Sequence, residues 1–405
     1  MTRRLDNFIQ AFEEYSEVYN TTPLYAKAGA LWMLGTAVRR QIGMRARANA
    51  THPNMYIQLI GGPGTGKSQS VNAIRGIFLP ATKSSIIPAS VTRAGMEDYM
   101  QTNLQTTKSP DGGMIMSHEC IGLSEEMQGI LPDQDLGHLT LYNILYDLPK
   151  MHKAVTRSNG TVALESPYCS ILTGAQPAFL ATTMPEQAWG MGFMSRSVMV
   201  FDTPRERRSM FILRDVDPKL KQDLIHDLKL VASYNGWMEW SKDAIALYDE
   251  WWVQHGGQPI PTAKRLAMGY NSRRELHMAK LAMVMSLARR ETDSSNLLVS
   301  EDDVAEAIKT LLHFESKMTS IFNEMTATGS MVMLQDVIDK VRAETAAGRT
   351  VEEASLINLL MQRFPSTQVH AMIQNMIDSK AIVNAGGVDV RGCRKFKAGD
   401  QVALV

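Results

Sequence analysis

A glycine-rich run that ends in Lys-Ser limits the possible folds of this chain more than any other segment. An apolar segment, Met55–Ile60, precedes it, and a helical pattern from about Gly66 to Phe78 follows it. Glycines let the backbone turn its N–H groups towards phosphate oxygens, and the N-terminus of the following helix adds partial positive charge. The run matches the pattern G-x-x-x-x-G-K-[ST] throughout and reads Gly61-Gly62-Pro63-Gly64-Thr65-Gly66-Lys67-Ser68. It predicts a nucleotide-binding loop, with Lys67 on the β- and γ-phosphates of ATP and the Ser68 hydroxyl on Mg²⁺.

The composition is that of a folded globular protein. The chain has 405 residues, 44% of them hydrophobic and 21% charged, which excludes wholesale disorder. Lys plus Arg and Asp plus Glu both number 42, so any contact with DNA should be local rather than driven by bulk charge. The three cysteines, Cys120, Cys169 and Cys393, are too far apart for a disulfide framework or a paired zinc motif. Without a secretory signal or an apolar run of about 18 residues, we expect a cytoplasmic protein with no membrane partner.

The order of apolar segments predicts an α/β fold. Residues 1–50 are expected to form a helical segment, which either makes a collar or packs on the core. Residues 51–210 alternate apolar strands with helices, which is the pattern of a parallel sheet. Because the glycine-rich run lies in this second segment, we expect a P-loop NTPase core there.

The rest of the chain is predicted to add two further segments. Residues 211–328 are mostly helical, and Ser241 and Ser300 are candidate N-caps. Thr326–Ser330 has the composition of a linker. Residues 331–405 carry three helical patterns and a basic ribbon, which indicates a winged-helix-like module that contacts either DNA or protein.

Two acid-bearing segments are candidates for the carboxylates that nucleotide hydrolysis requires. Met114–Glu119 ends in one acid, and Cys120–Glu126 ends in the pair Glu125-Glu126. Paired acids at a strand end fit the requirement better, so we predict that Glu126 activates water and that Glu125 holds the metal. Glu119 is the alternative for water activation, and solvated strand-end acids are the alternative for all three.

Two later segments place polar residues beside an apolar strand. In the first, Pro167–Pro177, the apolar strand ends in polar residues, and in the second, Arg196 stands directly before the apolar segment Ser197–Phe201. Both segments resemble AAA+ ATPases. The resemblance implies that Gln176, or else Thr173, is the sensor-1 residue. It also implies that Arg196 is an arginine finger that reaches the γ-phosphate in a neighbouring subunit, which requires a ring or at least a dimer. An arginine that caps a helix C-terminus is the alternative for Arg196.

A β-hairpin is predicted directly before the sensor segment. Residues 150–165 contain two short strand patterns around an Asn-Gly pair, which favours a tight turn. A hairpin in this position resembles the superfamily-3 and minichromosome-maintenance clade of AAA+ proteins, in which it projects into a central channel and holds DNA. The resemblance implies phosphate contacts by Lys150, Lys153 and Arg157, without sequence preference. An exposed turn with ordinary surface charges is the alternative.

Two adjacent arginines stand at the start of a predicted helix in the lid segment. In AAA+ proteins an arginine near this point of the lid senses the nucleotide, and Arg273 and Arg274 are the candidates here. An exposed basic first turn of the helix is the alternative.

Residues 54–208 resemble the ATPase core of phage and prophage replication proteins that are classed as helicases. The motifs that carry the resemblance are Pro53–Tyr56 with the glycine-rich run, Ser124–Met127, Gly174–Pro177 and Gly192–Arg196. It implies an AAA+ fold with a parallel sheet, a helical lid and a C-terminal winged-helix module. It also implies a hexameric ring that uses Mg-ATP to move on single-stranded DNA, beside other replisome proteins, in the host cytoplasm. A helicase loader or replication initiator is the second hypothesis, and a protein-remodelling ATPase is the third.

Overall fold

The chain divides into two compact units, Met1–Asn323 and Glu324–Val405. The structure is a computed structural model that describes residues 2–46, 49–131, 135–156, 160–183, 192–204, 217–256, 269–361, 366–388 and 394–399. Described residues on either side of positions 50 and 210 share one apolar core. The first unit spans most of the three predicted segments 1–50, 51–210 and 211–328, and the second unit begins at Glu324, where the sequence predicted a boundary at residue 331.

Two helices and a short strand pair precede the central sheet. They are α1 (Phe8–Ser16), α2 (Pro23–Ala37), β1 (Ile42–Ala46) and β2 (Asn49–Thr51). The Thr22 side chain caps α2 by accepting a hydrogen bond from the Tyr25 amide at 3.3 Å. Nearly every residue of α2 is buried, so the helix is surrounded by protein on all sides. Residues 1–50 therefore pack on the core, which is one of the two arrangements that we expected.

A five-stranded mixed sheet forms the centre of the first unit. In chain order the next strands are β3 (Tyr56–Ile60), β4 (Leu104–Lys108), β5 (Met114–Ser124), β6 (Met151–Thr156), β7 (Gly160–Glu165), β8 (Tyr168–Ala175) and β9 (Ser197–Phe201). The sheet has the order β4-β5-β8-β3-β9, and β5, β8, β3 and β9 are parallel as predicted. The edge strand β4 is antiparallel to β5, because the short connection 109–113 permits only a hairpin. The sequence predicted a parallel sheet, and the structure adds this one antiparallel strand at its edge.

The helices between these strands are α3 (Lys67–Thr82), α4 (Arg93–Thr102), α5 (Leu136–Tyr146) and α6 (Pro177–Thr183). Since α3 begins inside the glycine-rich run and β3 ends before it, the predicted strand–loop–helix order is confirmed. Strands β6 and β7 pair antiparallel from Met151 with Glu165 to Thr156 with Gly160, which confirms the predicted hairpin. The turn of the hairpin lies outside the described residues.

The remainder of the first unit is mostly helical, as predicted. It comprises α7 (Pro218–Val231), β10 (Gly236–Trp237), β11 (Glu239–Trp240), α8 (Lys242–Trp251), a π-helical turn (Trp252–Gly256), α9 (Arg274–Ala288), β12 (Leu298–Val299) and α10 (Glu301–Ser316). The hydroxyls of Ser241 and Ser300 cap α8 and α10 by accepting hydrogen bonds from the Ala244 and Asp303 amides at 3.1 and 3.3 Å. Within the described ranges, every helix is too short or too polar to cross a membrane.

The second unit has its own small apolar core, which includes Ile338, Leu356 and Phe396. Its elements are the last part of α11 (Met318–Ala346), β13 (Val351–Glu352), α12 (Glu353–Met361), α13 (Ser366–Asp378), β14 (Ile382–Val388) and β15 (Arg394–Ala398). The three strands lie in the order β13-β15-β14. Thr326–Ser330 is helical within α11 and is not the predicted linker, because a single glycine costs a helix only about 1 kcal/mol and the segment has no proline.

Candidate functional site

The loop Gly61–Ser68 has the backbone geometry that its glycines predict. Gly64 and Gly66 have φ angles of 79° and 83°, in the left-handed region that other residues rarely occupy. Helix α3 starts at Lys67, so its first-turn N–H groups and the positive end of its dipole face the loop. This arrangement favours an anionic group at the loop.

The segment before α2 passes directly against this loop. A Cβ atom built on Gly66 would lie 1.9 Å from the carbonyl oxygen of Asn20, so only glycine fits at this position. Asn20 also lines the pocket in front of the loop. Sequence reasoning missed Asn20, because the contact depends on how α1 and α2 pack on the sheet and no motif marks it.

The Lys67 ammonium group lies against the loop. Its Nζ atom donates to the carbonyl oxygens of Gly61 and Gly62 at 2.6 and 2.8 Å and to the Thr65 hydroxyl at 3.1 Å. A full positive charge therefore stands beside the amino end of α3. Both charges attract a phosphate group to the same point.

Side chains from three neighbouring strands meet at a pocket of about 540 Å³ in front of the loop. Strand β3 leads into the loop, β5 into an acid pair and β8 into Gln176, and the three strands are parallel. Their carboxyl ends therefore share one edge of the sheet, where open α/β sheets bind ligands. The pocket is lined by Asn20, Pro63–Gln69, Glu125–Gln128, Gly174–Gln176 and Phe179. The structure thus brings together the predicted Lys67, Ser68, Glu125, Glu126 and Gln176.

Glu125 and Glu126 are the acids of this pocket. A Cβ atom on Gly174 would lie 2.1 Å from the Glu125 carbonyl oxygen, so the absent side chain lets the acid segment approach β8. The Ser124 hydroxyl donates to the Glu126 carbonyl oxygen at 2.7 Å and holds the turn. A Glu125 carboxylate oxygen lies 3.8 Å from Arg75 Nη1, and both side chains are well exposed, so this ion pair is weak.

Glu119 does not lie at the pocket, and the alternative role predicted for it is wrong. The two acid-bearing segments form one continuous strand, β5, and Glu119 is in its interior with 1% exposure. Its carboxylate accepts a hydrogen bond from Arg39 Nε at 2.5 Å. Burial raises the pKa of Glu119, and the positive charge of Arg39 opposes that rise. The pair joins β5 to the turn after α2 and has a structural role.

The oxygen ligands at the pocket suit a hard cation. Ser68 offers a hydroxyl oxygen and Glu125 a carboxylate oxygen, which are ligands that Mg²⁺ prefers. Among the described residues, no group of three His, Cys, Asp or Glu side chains is placed to hold a metal by itself. A cation at Ser68 and Glu125 would therefore take its other ligands from phosphate and water, as Mg²⁺ usually does.

Gln176, rather than the alternative Thr173, is the polar residue at the end of β8 that reaches the pocket. Thr173 is 1% exposed and pairs with Gln58 of β3 inside the sheet. Gln176 follows the last residue of β8 and lines the pocket beside the acid pair. Of the two candidates for the sensor, only Gln176 has access to a ligand.

Arg196 lies at the opposite end of the sheet. It stands directly before β9, whose first residue pairs with Tyr56 at the start of β3, whereas the loop follows the end of β3. The length of the strand, about 15 Å, separates Arg196 from the loop of its own chain. Arg196 Nη2 donates to Asp147 Oδ2 at 2.6 Å, and Arg273 Nη1 donates to Oδ1 of the same carboxylate at 3.3 Å.

The structure brings neither Arg273 nor Arg274 to the loop pocket. Arg274 makes a two-point ion pair with Glu315 at 2.7 and 2.8 Å, and the two side chains are only 4% and 5% exposed. The nucleotide-sensing role and the exposed basic turn are therefore both wrong for Arg274, which joins α9 to α10. Arg273 is 24% exposed and belongs with Arg196 at the far end of the sheet.

Two buried basic side chains, Lys280 and His277, make hydrogen bonds near the Arg196 end of the sheet. Lys280 Nζ donates to the backbone and side-chain oxygens of Asn54 at 2.7 and 2.8 Å and lies 4.0 Å from the centre of the Tyr146 ring. Burial lowers the pKa of Lys280 well below its usual value. Burial also lowers the pKa of His277 to about 4, so a neutral His277 donates from Nε2 to the Ser195 carbonyl oxygen at 2.9 Å. The His277 hydrogen bond holds Ser195, the residue next to Arg196, in place.

The hairpin has one buried face and one exposed face. On the buried face, His152 Nε2 lies 3.3 Å from the Glu97 carboxylate of α4. On the other, Lys153 is exposed between Met151 and Val155, which are 42% and 81% exposed. Lys150 is exposed at the base of the hairpin. The third predicted DNA contact, Arg157, lies outside the described residues.

Two sets of charged side chains therefore stand at opposite ends of the same parallel strands. At one end, Lys67 and the acid pair surround a pocket that suits a phosphate group and a hard cation. At the other end, Arg196 and Arg273 share Asp147. No protein-family model matches this chain, and no curated protein matches it.

Proposed function

We propose that this protein is an AAA+ ATPase that forms a ring and moves on single-stranded DNA, as a phage-type replicative helicase does. The observation that carries the proposal is the sheet order β4-β5-β8-β3-β9, with the loop, the acid pair and Gln176 at one end and Arg196 at the other. In such an order the strand that bears the sensor lies between the loop strand and the acid strand. This arrangement supports ATP hydrolysis at a seam between subunits.

The pocket residues have the roles that phosphoryl transfer requires. Lys67 and the first turn of α3 attract the β- and γ-phosphates, and Ser68 and Glu125 would hold Mg²⁺. When bound, the cation neutralises charge on those phosphates. Glu126 orients the attacking water and accepts its proton, while the Gln176 amide hydrogen-bonds to the water or to the γ-phosphate. Glu126 is the water-activating residue in this site, because Glu119 is buried and paired with Arg39.

The position of Arg196 supports completion of the site by a second copy of the chain. An arginine at the far end of the strands is too distant to reach the phosphates of its own chain. In a head-to-tail ring, that end of one subunit would face the loop of the next, and each seam would be equivalent. Arg196 would then stabilise charge on the γ-phosphate of its neighbour.

The exposed face of the hairpin supports contact with DNA. Lys153 supplies a cation for a phosphate, and the exposed Met151 and Val155 beside it offer apolar contact to bases. The net charge of zero for the whole chain is compatible with DNA contact at one local element.

The hydrolysis rate with single-stranded DNA tests the proposal. Addition of single-stranded DNA is expected to raise ATP turnover of the purified protein. Lys153→Ala is expected to weaken DNA binding and to reduce, by about one unit, the slope of the logarithm of the binding constant against the logarithm of the salt concentration. Lys229→Ala on α7, also exposed, is the matched control and should leave both unchanged. ATP turnover without any response to DNA, and without strand displacement, would contradict the motor.

A helicase loader or replication initiator is a second candidate, in which the second unit would recognise a DNA site or a protein partner. Three helices with the strand order β13-β15-β14 are compatible with the winged-helix module that the sequence predicted, and such modules recognise DNA sites or protein partners. Salt-sensitive binding without sequence preference supports the motor, whereas a footprint at one DNA site supports the initiator.

Replacing the two acids separately should distinguish their roles. Glu126→Gln is expected to lower ATP turnover about 100-fold and leave ATP affinity nearly unchanged, because it removes the base and keeps the shape. Glu125→Gln is expected to raise the Mg²⁺ concentration needed for half-maximal turnover, because it removes a charged ligand. Turnover and a Mg²⁺ titration measure the two effects. If instead Glu125→Gln lowered turnover and Glu126→Gln raised the Mg²⁺ requirement, the two roles would be reversed.

A further inference from the structure

One carboxylate holds two arginines at the Arg196 end of the sheet. Asp147 accepts from Arg196 at 2.6 Å and from Arg273 at 3.3 Å, one on each oxygen. The Arg196 side chain is 13% exposed and the Asp147 side chain 49% exposed, so a half-exposed carboxylate pairs with a largely buried guanidinium group. Without this acid, two like charges would stand side by side at this end of the sheet.

Asp147 is also the residue from which the hairpin segment departs. It caps the C-terminus of α5, and strand β6 starts after only Leu148, Pro149 and Lys150. Because only three residues connect Asp147 to β6, a displacement of Asp147 would also displace the start of β6. The acid lies on the path between Arg196 and the hairpin.

Arg40 fixes both ends of the hairpin to one point. Its guanidinium donates to the carbonyl oxygens of Leu148 and Pro149 at 2.7 and 2.8 Å, before the hairpin, and of Pro167 at 3.1 Å, after it. Arg40 is 8% exposed, and burial lowers its pKa to about 10, so it stays charged at neutral pH. The Ser166 amide donates to the Lys150 carbonyl oxygen at 2.9 Å and closes the base. These contacts tie the two ends of the hairpin together at its base.

The backbone at the base is unusual on both sides. Leu148 and Ser166 have φ angles of 48° and 40°, in the left-handed region, although neither is glycine. Such conformations persist only where surrounding contacts impose them. The Arg40 hydrogen bond to the Leu148 carbonyl oxygen is among those contacts, so the conformation of the base depends on contacts made from outside the hairpin.

We propose that Asp147 is a positioning residue that couples Arg196 and Arg273 to the hairpin. Its carboxylate holds the two arginines together, and the segment Leu148–Pro149 transmits its position to β6. The inference rests on the proposed function, since it assumes that Arg196 acts on ATP of a neighbouring subunit and that the hairpin contacts DNA.

Competition for Arg196 supplies the two states that coupling requires. Arg196 Nη2 is engaged by Asp147, and a phosphate of the neighbouring subunit would compete for the same donor with its larger negative charge. Asp147 then retains Arg273 alone, and the hairpin base responds to the lost contact. The nucleotide state of one subunit and the position of the hairpin in the next thus change together, and DNA held by the hairpin acts back on turnover in the same way.

Asp147→Asn tests the coupling, with the ratio of ATP turnover with and without single-stranded DNA as the readout. The amide keeps the size of the side chain but loses its charge, and we expect the ratio to fall about fivefold or more towards one while ATP affinity stays unchanged. Asp147→Glu keeps the charge on a longer side chain and should retain most of the ratio, which preserves a test if the amide variant folds poorly. Asp135→Asn is the matched control, since Asp135 caps the other end of the same helix.

The outcomes separate this inference from the function on which it rests. A wild-type protein that DNA does not stimulate would contradict the proposed function. A stimulated wild-type protein together with an equally stimulated Asp147→Asn variant would contradict the coupling alone, and so would an equal loss in Asp135→Asn. A purely structural role would lower thermal stability and leave the ratio unchanged, whereas a lowered ratio in a stable variant supports the coupling.

Discussion

Lys67→Ala is expected to lower ATP turnover by about 10³-fold, because it removes the only charged side chain that contacts the loop carbonyls of Gly61 and Gly62 in the described part of the chain. In the proposed function Lys67 binds the β- and γ-phosphates. Among the described residues that line the pocket there is no other lysine or arginine to stabilise the charge that develops during phosphoryl transfer. Release of phosphate at saturating Mg-ATP measures the turnover, and binding of a fluorescent ATP analogue measures the affinity.

The control for this variant is Lys83→Ala. Lys83 is an exposed lysine at the C-terminal cap of the same helix, so its loss changes the net charge equally and leaves the loop untouched. Turnover should stay within about twofold of the wild type in the control, because exposed charges far from a site contribute little. If Lys67→Ala kept the wild-type rate while retaining its fold, the phosphate-binding role of the loop would be refuted.

The local features of this protein were predictable from the sequence, because each depends on residues that are near one another in the chain. The glycine-rich run specified its own strand–loop–helix geometry, since left-handed φ angles at Gly64 and Gly66 require glycine. The caps at Ser241 and Ser300 follow from hydrogen bonds within one helical turn. The hairpin follows from a short turn between two strand patterns.

The features that the sequence did not reveal depend on contacts between distant segments. The sequence preferred the acid pair but left Glu119 as an alternative strand-end acid, and only the continuous pairing of β5 with β8 puts Glu119 in the interior beside Arg39. Likewise, Arg274 is buried because α10 supplies Glu315. Asp147 carries no motif, and its contacts with Arg196 and Arg273 arise because α5, β9 and α9 meet at one point.

The two ends of the sheet differ in the same way, because one depends on residues near one another in the chain and the other on contacts between distant segments. The end of the sheet that holds the loop was predictable, because motif residues themselves line the pocket. The other end was predictable only for Arg196, whose partners Asp147 and Arg273 come from elements that the sequence did not connect. The experiments on this second end therefore carry more information than further variants in the loop.

Arg196→Ala is expected to lower ATP turnover by about 10³-fold while leaving ATP affinity within a few-fold of the wild type. The loop, the lysine and the acid pair of each subunit stay intact, because Arg196 lies at the opposite end of the strands from them. What is lost is the cation that would stabilise the γ-phosphate of the neighbouring subunit in the transition state. Steady-state turnover and nucleotide binding, measured on the same preparation, separate the two effects.

A mixture of two inactive variants distinguishes action between subunits from action within one. In a head-to-tail ring of Lys67→Ala and Arg196→Ala subunits mixed equally, about a quarter of the seams would join an intact loop to an intact arginine, so about a quarter of the wild-type turnover should return. If Arg196 acted within its own chain, every subunit in the mixture would lack one essential group and no activity would return. Arg4→Ala, which removes an arginine that is 51% exposed in an ion pair with Asp223, is the control for loss of a charge and should retain wild-type turnover.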